Sequence, residues 1–327
     1  MRSLILGGTG LLGAHLAPKL EKLGHEVALC DNFSGSMPYR SPKEYRTFSA
    51  DATQFRTLGH VFKVFKPDFV FVALSHHFAK ETVYSFHEDC RLVLESANTL
   101  TAFLTKNIKH VFFVSSSDVY GSPDSRRPIK ESRKIVTNAN HHGAAKLSAE
   151  RLLDFRCREL GIPLTIVRLF DMYGPRIMFN FRTGVISSMI DAFLQREQLG
   201  LRGAKKLRDF IHVEDAVSAI IGLIRAGTCG TINVGTGTGT SLLTVVKELS
   251  SHLEIVEKPI AVPDTALPSY SAVADISFLQ SEVPSWKPRH DLSKDLAALV
   301  KFRQKETAFF HPQNAAAVLQ AHRGGSF

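Results

Sequence analysis

A glycine-rich turn between a short apolar run and a helix-like segment dominates the first sixteen residues. Gly8, Gly10 and Gly13 match G-x-G-x-x-G, while Gly7, Gly10 and Gly13 match the looser G-x-x-G-x-x-G. In both patterns the glycines permit a tight turn, a close approach of the backbone to pyrophosphate and close helix–strand packing. The N-terminus of the helix offers N–H groups and the positive end of its dipole to phosphates. We therefore predict a dinucleotide-binding strand–turn–helix unit at residues 4–16.

A carboxylate ends the next apolar run of the chain. Glu26–Asp31 is predicted to form the second strand, and Asp31 lies 18 residues after Gly13. An acid near this spacing accepts hydrogen bonds from the adenosine ribose of a bound dinucleotide. Because a carboxylate repels a 2′-phosphate, Asp31 favours NAD over NADP as the cofactor.

Strand-like and helix-like segments alternate up to about residue 168, which predicts an α/β fold with a doubly wound parallel sheet. Further strands are predicted at Asp68–Ala73, Val111–Ser115 and Pro163–Leu169, and helices at Gln54–Phe65, Glu88–Thr105 and Gly143–Leu160. Pro18 lies inside the first predicted helix, where a proline kinks the helix or removes a hydrogen bond from it.

After Leu169 the pattern loosens, and short strands and proline-rich loops separate the predicted helices. These helices are expected at Thr183–Arg196, Val213–Arg225, Leu242–Leu253 and Leu292–Gln304. We predict a dinucleotide-binding domain at 1–170 and a smaller α/β substrate lobe at 171–305, with some of its segments returning to the sheet. Residues 306–327 are expected to form a poorly anchored tail.

The composition narrows the classes of partner. No apolar run reaches the roughly 18 residues that a transmembrane helix needs, and the N-terminus lacks the pattern of a signal peptide. The four cysteines are widely spaced and form no C-x-x-C pair, which predicts reduced thiols, no metal site and a cytoplasmic protein. The net charge of +9 is scattered along the chain without a nucleic-acid motif. We therefore expect neither a membrane nor a nucleic acid as a partner.

Several short motifs occur in an order typical of one enzyme family. They are Gly7–Gly13, Asp31–Ser34, Val114–Gly121, Arg168–Arg176, Arg208–Asp215, Asn233–Gly237 and, near the end, Ser285–Pro288. On these motifs the chain resembles the extended short-chain dehydrogenases/reductases, in particular the NAD-dependent nucleotide-sugar epimerase/dehydratase family. The resemblance implies a Rossmann fold, NAD as cofactor and a nucleotide sugar as the small-molecule substrate. It also implies a homodimer formed through the helices at Glu88–Thr105 and Gly143–Leu160.

The resemblance also implies which residues contact the cofactor. They are Gly7, Gly10, Leu11, Leu12, Gly13, Asp31, Asn32, Asp51, Ala52, Ala73 and Lys146.

In the family, a Ser or Thr, a Tyr and a Lys carry out hydride chemistry at a sugar carbon. Ser116 aligns with the Ser or Thr, and Lys146 aligns with the lysine that holds the nicotinamide ribose. The position of the tyrosine is occupied by His142. An imidazole has an ordinary pKa of about 6.5 and is able to accept an alcohol proton. Either His142 replaces the tyrosine as acid/base, or the activity was lost with the tyrosine.

Asp118 is a further candidate for catalysis. In dehydratases and decarboxylases of the family, an acid occurs at this distance after the catalytic Ser or Thr. Asp118 is therefore expected to be either a general base that removes a proton next to a transient ketone, or a cap of the turn before Val119.

The predicted substrate contacts are Ser117, Asp171 and Arg208. Arg208 matches an arginine that binds the substrate's diphosphate, whereas Asp171 stands where the family commonly has an asparagine. A carboxylate there repels a phosphate, and a second family arginine has no counterpart in the loop before Asp275. Two alternatives therefore stay open. One is a dehydrogenase or ketoreductase acting on a substrate without a nucleotide, and the other is a catalytically silent NAD-binding protein.

Overall fold

The predicted alternation of strands and helices produces, within the residues that the structure describes, one large parallel sheet and three small ones. The strands of the computed structural model are β1 (Arg2–Leu6), β2 (Glu26–Asp31), β3 (Arg46–Ser49), β4 (Phe69–Val72), β5 (His110–Ser116), β6 (Leu164–Leu169), β7 (Asp171–Tyr173), β8 (Gly200–Leu201), β9 (Leu207–Arg208), β10 (Phe210–His212), β11 (Gly230–Val234), β12 (Thr240–Ser241) and β13 (Ile260–Ala261).

The structure describes residues 1–34, 45–75, 87–88, 90–121, 127–135, 140–175, 184–195, 200–201, 203–253, 260–261 and 271–309. The α-helices in this part are α1 (Leu11–Lys22), α2 (Phe55–Phe65), α3 (Ser96–Thr101), α4 (His141–Leu160), α5 (Val185–Leu194), α6 (Val213–Ala226), α7 (Leu242–Leu253), α8 (Ser277–Glu282) and α9 (Leu292–Phe309). A π-helix at Arg91–Glu95 leads directly into α3, so the helix predicted at Glu88–Thr105 is only partly α-helical and ends at Thr101. None of them combines the length and the apolar character that crossing a bilayer requires.

Seven parallel strands form the central sheet, in the order β3-β2-β1-β4-β5-β6-β11. The chain builds outward from β1 on one side through β2 and β3, and on the other through β4, β5 and β6. The order therefore reverses between β1 and β4. In open α/β sheets, ligands bind in the crevice beyond the carboxyl ends of the strands at such a reversal.

Helices cover both faces of this sheet. Successive residues of β1 alternate between two apolar cores, because neighbouring side chains of a strand point to opposite faces. Leu4 and Leu6 belong to the core shared with α2, α3 and α4, whereas Ile5 belongs to the core shared with α1 and α6. All three side chains are fully buried, as expected for a strand that is covered on both sides.

A smaller unit packs beyond the carboxyl ends of the strands. Its helices α5, α7 and α9 share a third apolar core. Its strands pair as β7 with β10, β9 with β12 and β8 with β13. A hydrogen bond of 2.8 Å from the Tyr173 hydroxyl to Asp295 joins β7 to α9. This arrangement brings β7 and β9 next to the sheet's carboxyl edge.

Some element boundaries differ from those predicted from the sequence. The helix α4 begins at His141, two residues before the predicted start, because Asn140 caps it by accepting a hydrogen bond from the Gly143 N–H. The helix α1 contains Pro18 and continues to Lys22. The helix α9 continues to Phe309, into the stretch predicted to be a tail. The short edge strand β3 was absent from the predicted elements.

Candidate functional site

A cleft of about 320 Å³ lies at the carboxyl edge of the sheet. Most of the residues that the sequence singled out line it. These are Gly7, Gly10, Leu11, Leu12, Asp31, Asn32, Ala73, Ser116, Ser117, Asp118, His142, Lys146, Asp171 and Arg208. Among the described residues, Gly13, Asp51 and Ala52 are predicted contacts that do not belong to this lining. The loop 262–270, which precedes Asp275 and where a second arginine was expected, lies outside the described residues.

The glycine-rich turn passes so close to its neighbours that side chains do not fit. Gly7 has φ +78°, and a Cβ atom there would lie 2.8 Å from the carbonyl oxygen of Ala73. A Cβ atom on Gly13 would lie 2.6 Å from the carbonyl oxygen of Gly7. Because Gly13 has no side chain, α1 packs directly against the glycine-rich turn.

The turn presents the N-terminus of α1 to the cleft. Gly10 occupies the N-cap position and offers no side chain to the N–H groups of the first turn. Leu11 and Leu12, the first two helical residues, line the cleft. First-turn N–H groups lack partners inside their own helix, and together with the helix dipole they attract an anion such as pyrophosphate. This part of the structure fits the phosphates of NAD.

Asp31 ties the end of β2 to the glycine-rich turn. Its Oδ2 accepts a hydrogen bond of 3.0 Å from the Thr9 N–H, and its Oδ1 accepts one of 2.8 Å from the Phe33 N–H. The side chain lines the cleft although the residue is only 9% exposed. Each carboxylate oxygen can accept more than one hydrogen bond, so Asp31 retains capacity for hydroxyl donors such as those of a ribose.

Asp51 stands behind the cleft wall. Its Oδ1 accepts hydrogen bonds from the backbone N–H and the hydroxyl of Thr53, and Arg91 lies 3.9 Å from its Oδ2. Asn32, which lines the cleft, is also among the neighbours that lower the pKa of Asp51. Burial acts to raise the pKa of Asp51, but the bonds from Thr53 and the charge of Arg91 outweigh it and lower that pKa. Asp51 is thus an anion that stands near Asn32 without belonging to the cleft lining.

Ser116 lies where β5 ends and a 3₁₀ turn at Ser117–Tyr120 begins. Its Oγ accepts a hydrogen bond of 3.1 Å from the Asp118 N–H, so Ser116 caps this turn. A hydroxyl that accepts one hydrogen bond keeps its own hydrogen for donation. Ser116 is therefore able to donate to a substrate oxygen, and the capping role considered for Asp118 belongs to Ser116.

The Asp118 carboxylate faces the first turn of α4. Its Oδ2 accepts a hydrogen bond of 3.2 Å from the side-chain amide of Asn140, which also caps that helix. No family motif marked Asn140. The sequence nevertheless carried a signal for it, because an asparagine just before a helical segment is a typical N-cap.

Two predicted catalytic residues lie one turn apart on α4. His142 and Lys146 both line the cleft, and they are only 6% and 2% exposed. The Lys146 Nζ donates hydrogen bonds of 2.8 Å to the carbonyl oxygens of Leu74 and Val114, which follow β4 and precede the end of β5. These bonds hold the ammonium group between two strand ends.

Asp171 and Arg208 bind each other at the far side of the cleft. Arg208 Nε lies 2.6 Å from Asp171 Oδ2, and Arg208 Nη2 lies 2.5 Å from Oδ1. This two-pronged arrangement is the geometry in which guanidinium and carboxylate pair most strongly. The guanidinium predicted to bind a diphosphate is thus already neutralised by Asp171.

A buried ion pair that sequence reasoning missed supports the end of β5. Glu150 of α4 accepts two hydrogen bonds from Arg168 of β6, at 3.0 and 2.7 Å, and one of 2.5 Å from the Ser115 hydroxyl. An arginine in a buried strand next to a helical glutamate was the available signal, since buried charges are almost always paired. The ion pair holds α4 against β6, and the bond from Ser115 holds it against the end of β5, which fixes Lys146 relative to Ser116.

The motifs Arg208–Asp215 and Asn233–Gly237 meet at Asp209. This fully buried carboxylate accepts hydrogen bonds from the backbone N–H groups of Thr236, Gly237 and Ala274 and from the Thr236 hydroxyl. Burial raises its pKa, against the opposing effect of these bonds. Asp209 therefore serves the fold by fixing the backbone that carries Arg208.

Comparison with known proteins agrees with this architecture. A model of a family described as "NAD dependent epimerase/dehydratase family" matches residues 3–235. A UDP-N-acetyl-alpha-D-glucosaminuronate decarboxylase of Bacillus cytotoxicus is 30% identical over 326 residues, which covers 95% of this chain and 92% of that protein.

Solved structures share the fold. A UDP-glucose 4-epimerase of Thermotoga maritima superposes with a TM-score of 0.85 at 24% identity, covering 93% of this chain and 99% of that one. A UDP-glucose 4-epimerase of Thermus thermophilus, in complex with NAD, gives a TM-score of 0.82 at 22% identity, with coverages of 93% and 99%.

Proposed function

Because the chain belongs to the NAD-dependent epimerase/dehydratase family, we propose that it uses NAD to modify the sugar of a nucleotide-activated sugar. One observation carries this proposal. The same cleft joins the glycine-rich turn and Asp31 to the predicted catalytic residues and, beyond them, to Arg208. A cofactor, a reacting sugar and an anionic substrate group thus each have a place along one cavity.

Bound NAD would supply the acceptor, and later the donor, of a hydride. The first turn of α1 would hold its phosphates, and Asp31 and Asn32 would hold its adenosine ribose. Lys146 would hold the nicotinamide ribose. Its bonds to the Leu74 and Val114 carbonyls fix the ammonium group beside the cleft, and a ribose hydroxyl is a suitable acceptor for such a donor.

His142 is the proposed acid/base. It would take the proton of the sugar hydroxyl as the carbon is oxidised and return it when the carbon is reduced again. Ser116 would donate its remaining hydrogen to the same oxygen. Both residues line the cleft, and burial of His142 to 6% exposure keeps water away from the transfer.

Asp118 is the proposed general base for steps that follow the first oxidation. A transient ketone acidifies the hydrogen on the neighbouring carbon, and a carboxylate in the same cleft is suited to remove that proton. Since Ser116 caps the 3₁₀ turn, the Asp118 side chain is not required for that purpose. Ser117 completes the wall on this side of the sugar.

A second candidate function rests on the pair between Asp171 and Arg208. With its arginine neutralised, the far side of the cleft also suits an alcohol or ketone without a diphosphate. The chain would then be a dehydrogenase or ketoreductase with net formation or consumption of NADH.

The experiment that separates these functions uses the full chain with NAD. It is incubated with a panel of UDP- and dTDP-sugars that includes uronates, and in parallel with non-nucleotide alcohols. Mass spectrometry reports loss of water or loss of CO₂, proton NMR reports epimerisation, and absorbance reports NADH. Altered nucleotide sugars support the proposal, whereas NADH formed only from the simple alcohols supports the second candidate. NAD binding without any turnover would overturn both and favour a silent protein.

We also propose that the active form is a cytoplasmic homodimer formed through α3 and α4. Phe155 of α4 is 69% exposed, so this helix presents a large apolar side chain that a second copy could cover. The four cysteines are all free thiols, as suits a reducing compartment. Light scattering of the wild type and of Phe155→Glu tests the dimer: a dimeric variant would contradict this interface.

A further inference from the structure

A single side chain joins the two elements that carry the proposed catalytic groups. Asn140 uses its Oδ1 to accept a hydrogen bond of 2.8 Å from the Gly143 N–H in the first turn of α4. With its Nδ2 it donates a hydrogen bond of 3.2 Å to Asp118 Oδ2, in the turn after β5. Asn140 thus spans from the turn that Ser116 caps to the helix that carries His142.

Both ends of this amide match their partners chemically. The Gly143 N–H is able only to donate, and an ionised carboxylate only to accept, so the orientation of the amide is fixed from both sides. Serine or aspartate would serve equally well as the cap of α4. Neither offers an N–H to Asp118, because the aspartate side chain lacks a donor when ionised and the serine side chain is too short.

We propose that Asn140 is the positioning residue that holds the Asp118 carboxylate in its reactive orientation and charge state. Asn140 lies outside the cleft lining and acts through Asp118. An N–H donor stabilises the charged form of a carboxylate. The proposal rests on the proposed function in so far as Asp118 acts as a base there.

Other charged or titratable groups line the same cleft as Asp118. They are His142 and Lys146 on α4, Asp31 at the end of β2, and Asp171 and Arg208 on β7 and β9. Substitutions at Asn140 leave all of these side chains in place. The difference between the wild type and Asn140→Ser therefore reports on the loss of the amide donor, whereas Asn140→Asp also adds a negative charge and Asn140→Ala also removes the cap.

The test compares Asn140→Ser, Asn140→Asp and Asn140→Ala in the full chain. The carboxyl titration of Asp118 is followed by ¹³C NMR, with the resonance assigned from Asp118→Asn, and kcat, KM and Tm are measured in parallel. Serine and aspartate retain the cap, so their Tm should stay near that of the wild type. Alanine loses the cap, and its Tm should fall by about 1–3 °C, as expected for the loss of a cap worth about 1–2 kcal/mol in a chain of this length.

We expect the effect of Asn140 on the Asp118 carboxylate to be separable from its effect as the cap of α4. Asn140→Asp should raise the pKa of Asp118 by about one unit or more, since it replaces a donor by a like charge. Asn140→Ser should raise it less, and both should lower kcat at least tenfold with little change in the KM for NAD.

An Asp118 titration that is the same in the wild type and in the aspartate variant would overturn the proposal. If the wild type converts no nucleotide sugar, the proposed function fails, but the carboxyl titration still decides the role of Asn140.

Discussion

Asp171 holds Arg208 through two hydrogen bonds, of 2.6 Å to Nε and 2.5 Å to Nη2, inside the cleft. The pair is only partly buried, with 18% and 28% of the two side chains exposed. A diphosphate that approaches Arg208 therefore meets a neutralised guanidinium and a neighbouring carboxylate. It must use the donors of Arg208 that face away from Asp171, or displace Asp171.

Replacing Asp171 by asparagine should strengthen the binding of a nucleoside diphosphate. The substitution removes the competing negative charge and keeps the size of the side chain. Like charges at close range cost several kcal/mol in a site of low dielectric constant, so the Kd for UDP should fall at least about tenfold. Calorimetric titration of the wild type and Asp171→Asn with UDP measures this.

Uridine and the variant Asp154→Asn serve as controls for that titration. Uridine carries no phosphate, and its affinity should not change. Asp154 pairs with Arg158 on the exposed surface of α4, so breaking that pair should leave UDP binding as it is. Equal UDP affinity of the wild type and Asp171→Asn would refute a competition between Asp171 and the diphosphate.

The variant Asp31→Asn should weaken NAD binding and reduce the discrimination against NADP. It removes the negative charge that accepts ribose hydroxyls and repels a 2′-phosphate. We expect the Kd for NAD to rise at least about tenfold and the ratio of the NADP to the NAD dissociation constant to fall. Asp51→Asn is the matched control, because Asp51 lies behind Asn32 rather than in the cleft lining. A larger effect from Asp51 than from Asp31 would contradict this assignment.

His142→Ala should lower kcat with NAD binding unchanged. General acid–base catalysis typically contributes 10²–10⁴-fold, so the loss should be about a hundredfold or more. His141→Ala is the control, since His141 is the preceding residue and does not belong to the cleft lining. Steady-state kinetics together with NAD calorimetry decide the matter. An unaltered kcat in His142→Ala would exclude a catalytic role for this side chain.

His110 should make the protein less stable in mild acid. The Nε2 atom of His110 lies 2.7 Å from the Thr165 hydroxyl oxygen. Thr165 donates its only hydroxyl hydrogen to the Thr228 carbonyl, so in this contact the imidazole is the donor. Burial lowers the pKa of His110 from 6.5 to about 4. Between these values the unfolded chain binds a proton that the folded chain does not bind. Stability from this residue is therefore complete above about pH 6.5 and is lost as the pH falls towards 4.

The variant His110→Gln keeps an N–H donor near the same place and does not titrate. Between pH 7 and pH 5 the wild type should lose about 2 kcal/mol more of its unfolding free energy than His110→Gln. Urea unfolding at the two pH values measures this difference. Parallel losses in the two proteins would mean that His110 does not govern the response.

Much of the fold follows from local sequence patterns. The strand Glu26–Asp31 and the helix Leu242–Leu253 agree with the predicted bounds, and α4 ends at the predicted Leu160, followed by Gly161 in the left-handed conformation that favours glycine. Each of these signals is local: a buried apolar run, an amphipathic period or a glycine stop. The edge strand Arg46–Ser49 escaped prediction because it pairs on one side only and carries little apolar pattern.

The candidate site was predictable in its composition but not in its pairings. Motif order brought Asp171 and Arg208 into the same cleft, yet their ion pair depends on β7 and β9 meeting through β10, which no local pattern specifies. The same holds for Asn140 and Asp118, which are separated by 22 positions along the chain. Interactions of this kind arise from the tertiary arrangement.

Lys146 has a structural role in addition to its proposed contact with the nicotinamide ribose. Its hydrogen bonds to the carbonyl oxygens of Leu74 and Val114 connect helix α4 to the ends of two strands, and this connection does not depend on catalysis. A protein of this fold without enzymatic activity would still lose stability if this lysine were replaced. The presence of Lys146 is thus a poor indicator of catalytic activity. The imidazole of His142, one turn earlier on α4, is the better indicator.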